Sequence, residues 1–160
     1  MSESPLDERI AEFLSAHHVM SLATSAGGAV HAACLMYAAD GFALYWMSDP
    51  KSRHSQELEN NPIVAATIAP DYADFKAIRG LQIAGTAARL TSGGDILHAS
   101  ALMLRRYGFL RALAAGPASL RQAFERGGFY CLSPQRITLI DNSLGFGHKE
   151  TLTIAAGQGG

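Results

Sequence analysis

Three short apolar runs, each closed by a turn signal, constrain this chain more than any other feature. Residues 19–24 (VMSLAT) end at Ser25-Ala-Gly-Gly28, residues 30–38 end at Asp40-Gly41, and residues 42–47 (FALYWM) end at Asp49-Pro50. Short runs rich in β-branched and aromatic residues read as strands, and Asp-Gly is a strong hairpin signal. Consecutive strands at this spacing predict a meander. The third run is the most aromatic and reads as a largely buried strand.

The meander is interrupted at once by SDPKSRHS and then QELENN, so a strand runs through a short turn into a helix predicted over 51–59. Ser48, Lys51, Ser52, Arg53 and His54 crowd that join. Free backbone N–H groups at a helix start, hydroxyl donors and a guanidinium together suit a phosphate dianion. The same residues also describe a capped, solvated helix start, with Ser48 or Asp49 as the cap. Residue types alone divide evenly between the two.

On either side the pattern continues. Residues 5–16 form an amphipathic helix with Ser4 as N-cap and Pro5 in its first position; Leu6, Ile10, Phe13 and Leu14 share the face expected to cover one end of a barrel. Residues 62–69 (PIVAATIA) are apolar throughout, which predicts a strand buried on both faces. Residues 78–90 read as a long strand, in which Gly80 and Gly85 signal a bulge, a bend or a close approach. Helices follow over 92–107 and 117–126, punctuated by Gly108 and Gly116, and the basic, aromatic residues 102–111 (LMLRRYGFLR) read as an amphipathic lid. A last strand region covers 129–132 and 136–141 around Pro134. The glycine-rich tail ends in AAGQGG, which predicts disorder. Five or six antiparallel strands with helices inserted between them predict a mainly β fold, a barrel with helical decoration, in a single domain.

Composition narrows the function. A net charge of -1 supplies no basic field for nucleic acid. No apolar run approaches membrane-spanning length, and the polar, acidic start MSESPLDERIAEFL is no signal peptide, so a cytoplasmic location is expected. Cys34 and Cys131 have no metal-ligand spacing and read as small core residues in a reducing compartment. The histidines at 17, 18, 31, 98 and 148 show no HxxxH or HExxH pattern, so no metal is expected. GxSxG and GxGxxG are both absent, which removes the common hydrolase and dinucleotide-binding signatures.

Taken in order, Ser48, Ser52-Arg53-His54, Glu59-Asn60-Asn61-Pro62 and Arg79-Gly80-Leu81-Gln82-Ile83-Ala84-Gly85 resemble the FMN-binding split-barrel family typified by pyridoxamine 5'-phosphate oxidase. HVMSLAT at 18–24 and DNSLGFGHK at 141–149 resemble a small bacterial branch of it whose substrate is uncertain. The resemblance covers roughly residues 10 to 150. It implies a six-stranded antiparallel split β-barrel, a homodimer, and FMN bound in grooves along the dimer interface. It further implies a flavin-dependent oxidoreductase acting on a small molecule. Some split barrels bind haem or a deazaflavin instead, or carry flavin without catalysis.

Carried over residue by residue, the resemblance implies phosphate contacts from Ser48, beside Met47, and from the set Ser52, Arg53 and His54. The strand beside the flavin ring falls on residues 32–37, with contacts at Ala33, Cys34 and Leu35. Arg79 and Gln82 reach the cofactor from the partner subunit, and Asn142 and Lys149 lie near it. No catalytic residue is implied. The chain departs from the oxidases at Ala32, where they carry an arginine, and at Tyr37 and His54, where they carry lysine. Ile140 replaces an aromatic residue, and the oxidases' substrate-binding Arg-His pair has no clear counterpart. His31 and Lys51 are the candidates to compensate.

Overall fold

The protein was analysed as a computed structural model that describes residues 3–156; the last four residues of the expected disordered tail lie outside the described residues. Its elements are α1 (Leu6–Ala16), β1 (Val19–Ala26), β2 (Ala29–Met36), β3 (Ala38–Asp40), β4 (Ala43–Ser48), α2 (Arg53–Asn60), β5 (Ile63–Ile68), β6 (Arg79–Arg89), α3 (Gly93–Arg106), α4 (Phe109–Ala114), α5 (Ala118–Arg126), β7 (Gly128–Asp141) and β8 (Lys149–Thr153). Short 3-10 turns cover Phe75–Ala77 and Asn142–Leu144.

The eight strands form one antiparallel sheet in the order β2-β1-β5-β6-β7-β4-β3, with β8 also on β7. The two ends of this path, β2 and β3, are separated in the chain by Tyr37 alone. The sheet therefore curls until its ends are one bent strand. Counted that way the barrel has the six positions expected, and the difference in strand number comes from the break at Tyr37 and from β8. The long β7 gives its first half to β4 and its second half to β8. β8 went unrecognised because KETLT carries no apolar alternation.

Inward-facing residues of every strand meet in one core with Trp46, Tyr37 and Tyr130 at its centre, all fully buried. Trp46 and Tyr130 stack with ring centroids 5.6 Å apart, while Tyr45 looks outward to His98. Burial of such a large side chain contributes on the order of 2–3 kcal/mol; the Tyr37 hydroxyl donates to Leu14 O at 2.8 Å, whereas Trp46 Nε1 and the Tyr130 hydroxyl are buried without a partner, which offsets part of that gain. Gly85 sits where the β6–β7 register shifts, and a Cβ there would stand 2.3 Å from the Ser133 carbonyl oxygen. That is the close approach its place in the strand signals.

Several expectations are corrected. β5 is buried on one face only: Val64, Ala66 and Ile68 point inward, and Ile63, Ala65 and Thr67 are exposed. Small alternate residues look apolar in sequence even when they face outward. Cys34 is exposed on the same outer face and Cys131 is half-buried; both are free thiols. α1 starts at Leu6, with Pro5 in the cap position and no side-chain cap bond from Ser4. The 107–117 stretch carries its own helix, α4.

α1 buries Ile10, Phe13 and Leu14 against the core and is fixed to β8 by a bidentate ion pair, Arg9 to Glu150, at 2.8 and 2.6 Å. Its C-terminal carbonyls are met by α3: Arg106 donates to Ser15 O at 3.0 Å and to His17 O. The Tyr107 hydroxyl donates to Tyr37 O. α3 thus holds the chain at the bend between β2 and β3. No helix among the described residues is long and apolar enough to cross a membrane.

Candidate functional site

The site begins where β4 ends. Asp49 Oδ1 accepts from Lys51 N–H at 2.8 Å and Asp49 O accepts from Ser52 N–H at 3.0 Å, which folds the Asp-Pro segment into a turn. Asp49 therefore organises the turn rather than the helix, and α2 starts two residues later than the pattern predicts. Ser52 occupies the cap position, yet its hydroxyl makes no cap bond. It donates instead to Ser55 Oγ at 2.8 Å and lies 3.1 Å from His54 Nε2. The Ser48 hydroxyl lies 2.9 Å from the same nitrogen. Gln56 N–H is the first to bond back into α2, to Ser52 O, so the N–H groups of the first turn are directed outward. Two hydroxyls, an imidazole and a helix start converge on one spot.

Arg53 begins α2 with Nε 2.9 Å from Glu57 Oε1, one helical turn on. The other Glu57 oxygen accepts the Thr24 hydroxyl at 2.6 Å. The Thr24 hydrogen bond, then that from Arg53, holds the Glu57 carboxyl below the usual carboxylate range. Arg53 therefore keeps its two terminal nitrogens for a ligand while Nε is fixed. Sequence reasoning missed Thr24, Ser55 and Glu57. Only the i,i+4 spacing of Arg53 and Glu57 was there to find.

His54 is 8% exposed, and its ring faces that of His31 on β2, parallel within 3° at a centroid distance of 6.4 Å. Burial lowers its pKa from the ordinary histidine value, and His31 lowers it further, against an opposing pull from Glu57. The imidazole is thus kept neutral near pH 7.

β2 ends the sheet path, so its second edge faces β4 across a split. At the narrow end, next to Met47, an apolar hollow of about 210 Å³ is lined by Cys34, Leu35, Met36, Met47, Tyr107 and Leu110, among others. Ser48, the neighbour of Met47, belongs to the hydroxyl–imidazole cluster. The apolar hollow and the polar cluster thus flank the end of β4, Met47 on one face of the strand and Ser48 on the other. A hollow of about 310 Å³ between α1 and Arg79 is larger, but Arg9 and Arg79 in it are already paired with Glu150 and Asp141.

The sequence-derived residues fall into two groups. Cys34, Leu35 and Met47 line the apolar hollow, with Ala33 on the same strand β2, and Ser48, Ser52 and His54 form the cluster at the start of α2 beside Arg53. Arg79, Asn142 and Lys149 cluster around the start of β6, the end opposite to Arg89 and the α2 side. There Arg79 Nε is 2.9 Å from Asp141 Oδ2, Asn142 donates to Phe75 O at 2.7 Å, and Lys149 pairs with Ile140. Burial pushes the Asp141 carboxyl up, and hydrogen bonds from Ser143 together with Arg79 outweigh it and hold the pKa low. Gln82 stands between, on the exposed face of β6 opposite Thr67 and Thr138. Within one chain the second group does not reach the first.

A six-position antiparallel barrel opened by one split, with a polar cluster at the rim, defines a split-barrel protein. The chain belongs to the pyridoxamine 5'-phosphate oxidase family, whose N-terminal model matches residues 6–131. It is 32% identical over 142 residues to the UPF0306 protein plu4501 of Photorhabdus laumondii, covering 88% of this chain and 90% of that one. It is 30% identical over 151 residues to a UPF0306 protein of Serratia proteamaculans, covering 93% and 96%. Among solved structures, a haem-binding protein from Mycobacterium smegmatis superposes with TM-score 0.71 at 20% identity; the match covers 95% of this chain and 60% of that one. A putative pyridoxamine 5'-phosphate oxidase from Listeria innocua gives 0.65 at 19% identity, covering 84% and 98%. The haem storage protein HutZ from Vibrio cholerae gives 0.65 at 16%, covering 94% and 95%. These likenesses establish the fold.

Proposed function

We propose that this chain is an FMN-binding, homodimeric flavoprotein that acts as an oxidoreductase on a small molecule. The observation that carries the reading is the convergence of Ser48, Ser52 and His54 at the start of α2, with an apolar hollow lined by the neighbouring Met47. A phosphate monoester attached to a planar apolar ring matches that pair of subsites. The Ser48 hydroxyl and first-turn N–H groups donate to the phosphate, and Arg53 adds its terminal guanidinium nitrogens. Met36, Met47 and Leu110 take the ring and exclude water from it. Unpaired N–H groups along the open edge of β2 are available to its polar rim. When bound, the flavin supplies the electron transfer, and the protein supplies position and electrostatics.

The homodimer reading rests on the outer face of the sheet. β1, β2 and β5 contain no Asp, Glu, Lys or Arg. Ser21, Ala32, Ala65 and Thr67 are exposed small residues on it and, with the half-buried Ala23, line a shallow apolar hollow. In this reading the Arg79, Gln82, Asn142 and Lys149 that serve the cofactor belong to the second copy.

Haem is the second reading, favoured by the haem-binding protein of Mycobacterium smegmatis and the haem storage protein of Vibrio cholerae, which share the fold. The absorption spectrum of the purified protein, before and after adding FMN and removing the excess, tests both. A retained flavin spectrum is expected. A Soret band with no FMN uptake would replace flavin by haem, and uptake of a deazaflavin alone would change the cofactor but not the site. Turnover with NAD(P)H and an acceptor is expected of an oxidoreductase; its absence in a flavin-loaded protein would leave a flavin carrier.

A further inference from the structure

We propose that His54, faced by His31, is a titratable clamp that takes up a proton when a phosphate monoester enters the Ser48–Ser52 cradle. Cofactor affinity would then strengthen as pH falls from about 8 towards 6.5. The proposal rests on the FMN reading and adds a proton to it.

The cradle is poor in permanent charge. Arg53 is its guanidinium, and Glu57 already takes one of its nitrogens and offsets its charge. The remaining polar groups directly at the cluster are Ser48, Ser52 and the two imidazoles. The ionisable neighbours of His54 can be taken element by element. α2 itself carries Arg53 and Glu57, β2 brings His31, and the turn before α2 brings Asp49 and Lys51. β1 has no ionisable side chain, β4 offers Ser48, and β6 presents Ala87 and Ala88 with Arg89 at its end. A buried imidazole facing another imidazole is neutral when the cradle is empty. A dianion beside it reverses that preference, because an opposite charge within a few ångströms favours the cationic form.

The hydrogen-bond geometry transmits the charge. His54 Nε2 is within bonding distance of both serine hydroxyls, at 2.9 and 3.1 Å. As an acceptor, Nε2 draws a hydroxyl proton away from the cradle. As a protonated donor, it gives its N–H to a serine oxygen and frees the Ser48 hydroxyl proton for the phosphate, the Ser52 hydroxyl donating to Ser55. The proton balance is simple. Free FMN has a phosphate pKa of about 6 and reaches the site at pH 7.5 as a dianion with no proton to give. The proton comes from solvent and goes to the His54 imidazole, which His31 faces.

Calorimetry at pH 7.5, in two buffers of different ionisation heat, counts that proton. The expected result is uptake of about half to one proton per FMN and none per riboflavin, which has the ring without the phosphate. FMN affinity should weaken up to about tenfold per pH unit between 7 and 8, with riboflavin flat. His54→Lys should bind FMN with little uptake and little pH dependence above 7. His31→Asn is the second variant and should lower the uptake. FMN binding with no proton taken up would overturn the clamp and leave the flavin reading standing. If FMN does not bind at all, the flavin reading fails. The imidazole NMR titration with inorganic phosphate then decides the clamp: a rise in the His54 pKa supports it, and an unchanged titration overturns it.

Discussion

Replacing Arg53 with alanine separates an anion site from a merely capped helix. The side chain is 55% exposed and its Nε is bonded to Glu57 at 2.9 Å, so only the terminal nitrogens face a ligand. A hydrogen bond to a charged group contributes roughly 1.5–3 kcal/mol. Solvent screening at a half-exposed side chain places Arg53 in the lower part of that range, about 1.5–2 kcal/mol. The expected loss of FMN affinity is therefore about 10- to 30-fold. Riboflavin affinity should not change, because the apolar hollow is untouched. The fold should hardly notice: an exposed i,i+4 ion pair contributes about 0.3–0.5 kcal/mol, or a Tm shift of about 1–2 °C. Fluorescence titration of the variant with FMN and riboflavin at pH 7.5 and moderate salt reads the difference. Equal affinity of variant and wild type for FMN, or an equal loss for both flavins, would refute the assignment of Arg53 to a phosphate.

Gly85→Ala would force a Cβ to 2.3 Å from the Ser133 carbonyl oxygen, and overpacking of that kind costs about 2 kcal/mol, so Tm should fall by about 4–8 °C. Gly94→Ala, in α3 with open space around it, should hold or raise Tm; similar melting of the two variants would sink the close-approach argument. Ala65→Arg puts a charge on the exposed small-residue face of β5 and should turn the proposed dimer into monomers with weaker FMN binding, as read by sedimentation; an unchanged sedimentation coefficient would refute an interface on this face. The lowered pKa of His54 means the folded state holds its proton less tightly than the unfolded chain. That stability is complete above about pH 6.5 and is lost as pH falls below it towards the folded value. Urea midpoints of the ligand-free protein should therefore decline below pH 6.5, and His54→Gln should lack that segment. At lower pH the depressed carboxyls of Glu57, Asp141 and Glu150 act in the same sense, present above about pH 4.5 and lost as pH falls through their folded values.

Much of the barrel was legible because its signals are local. Asp40-Gly41 sits at a hairpin with Gly41 at φ +58°, and the aromatic run before Asp49 became the strand that holds Trp46. Ser92 caps α3 by accepting from Asp95 N–H at 3.1 Å, as a start signal should. Where small residues alternate, the pattern misled. Ala65 and Cys34 are apolar or nearly so in sequence, yet both are exposed, because a side chain of that size costs little in water and packs closely against a flat surface. The join after β4 was located by residue type, but not its wiring. Thr24 and Glu57 are 33 positions apart and meet only because α2 folds back over the end of β1.

The sequence by itself determined that strands alternate with helices, that the core is aromatic, and that hydroxyl and cationic residues crowd one strand-to-helix join. Those depend on neighbours in the chain, where propensity, turn chemistry and periodicity act. Only the tertiary structure decided that Tyr37 bends one strand into the two ends of a closed sheet, that His31 faces His54, and that Arg79, Gln82, Asn142 and Lys149 lie away from the start of α2 within one chain. Each depends on which distant strands pair and in what register, and pairing is set by how the whole sheet buries its inner face.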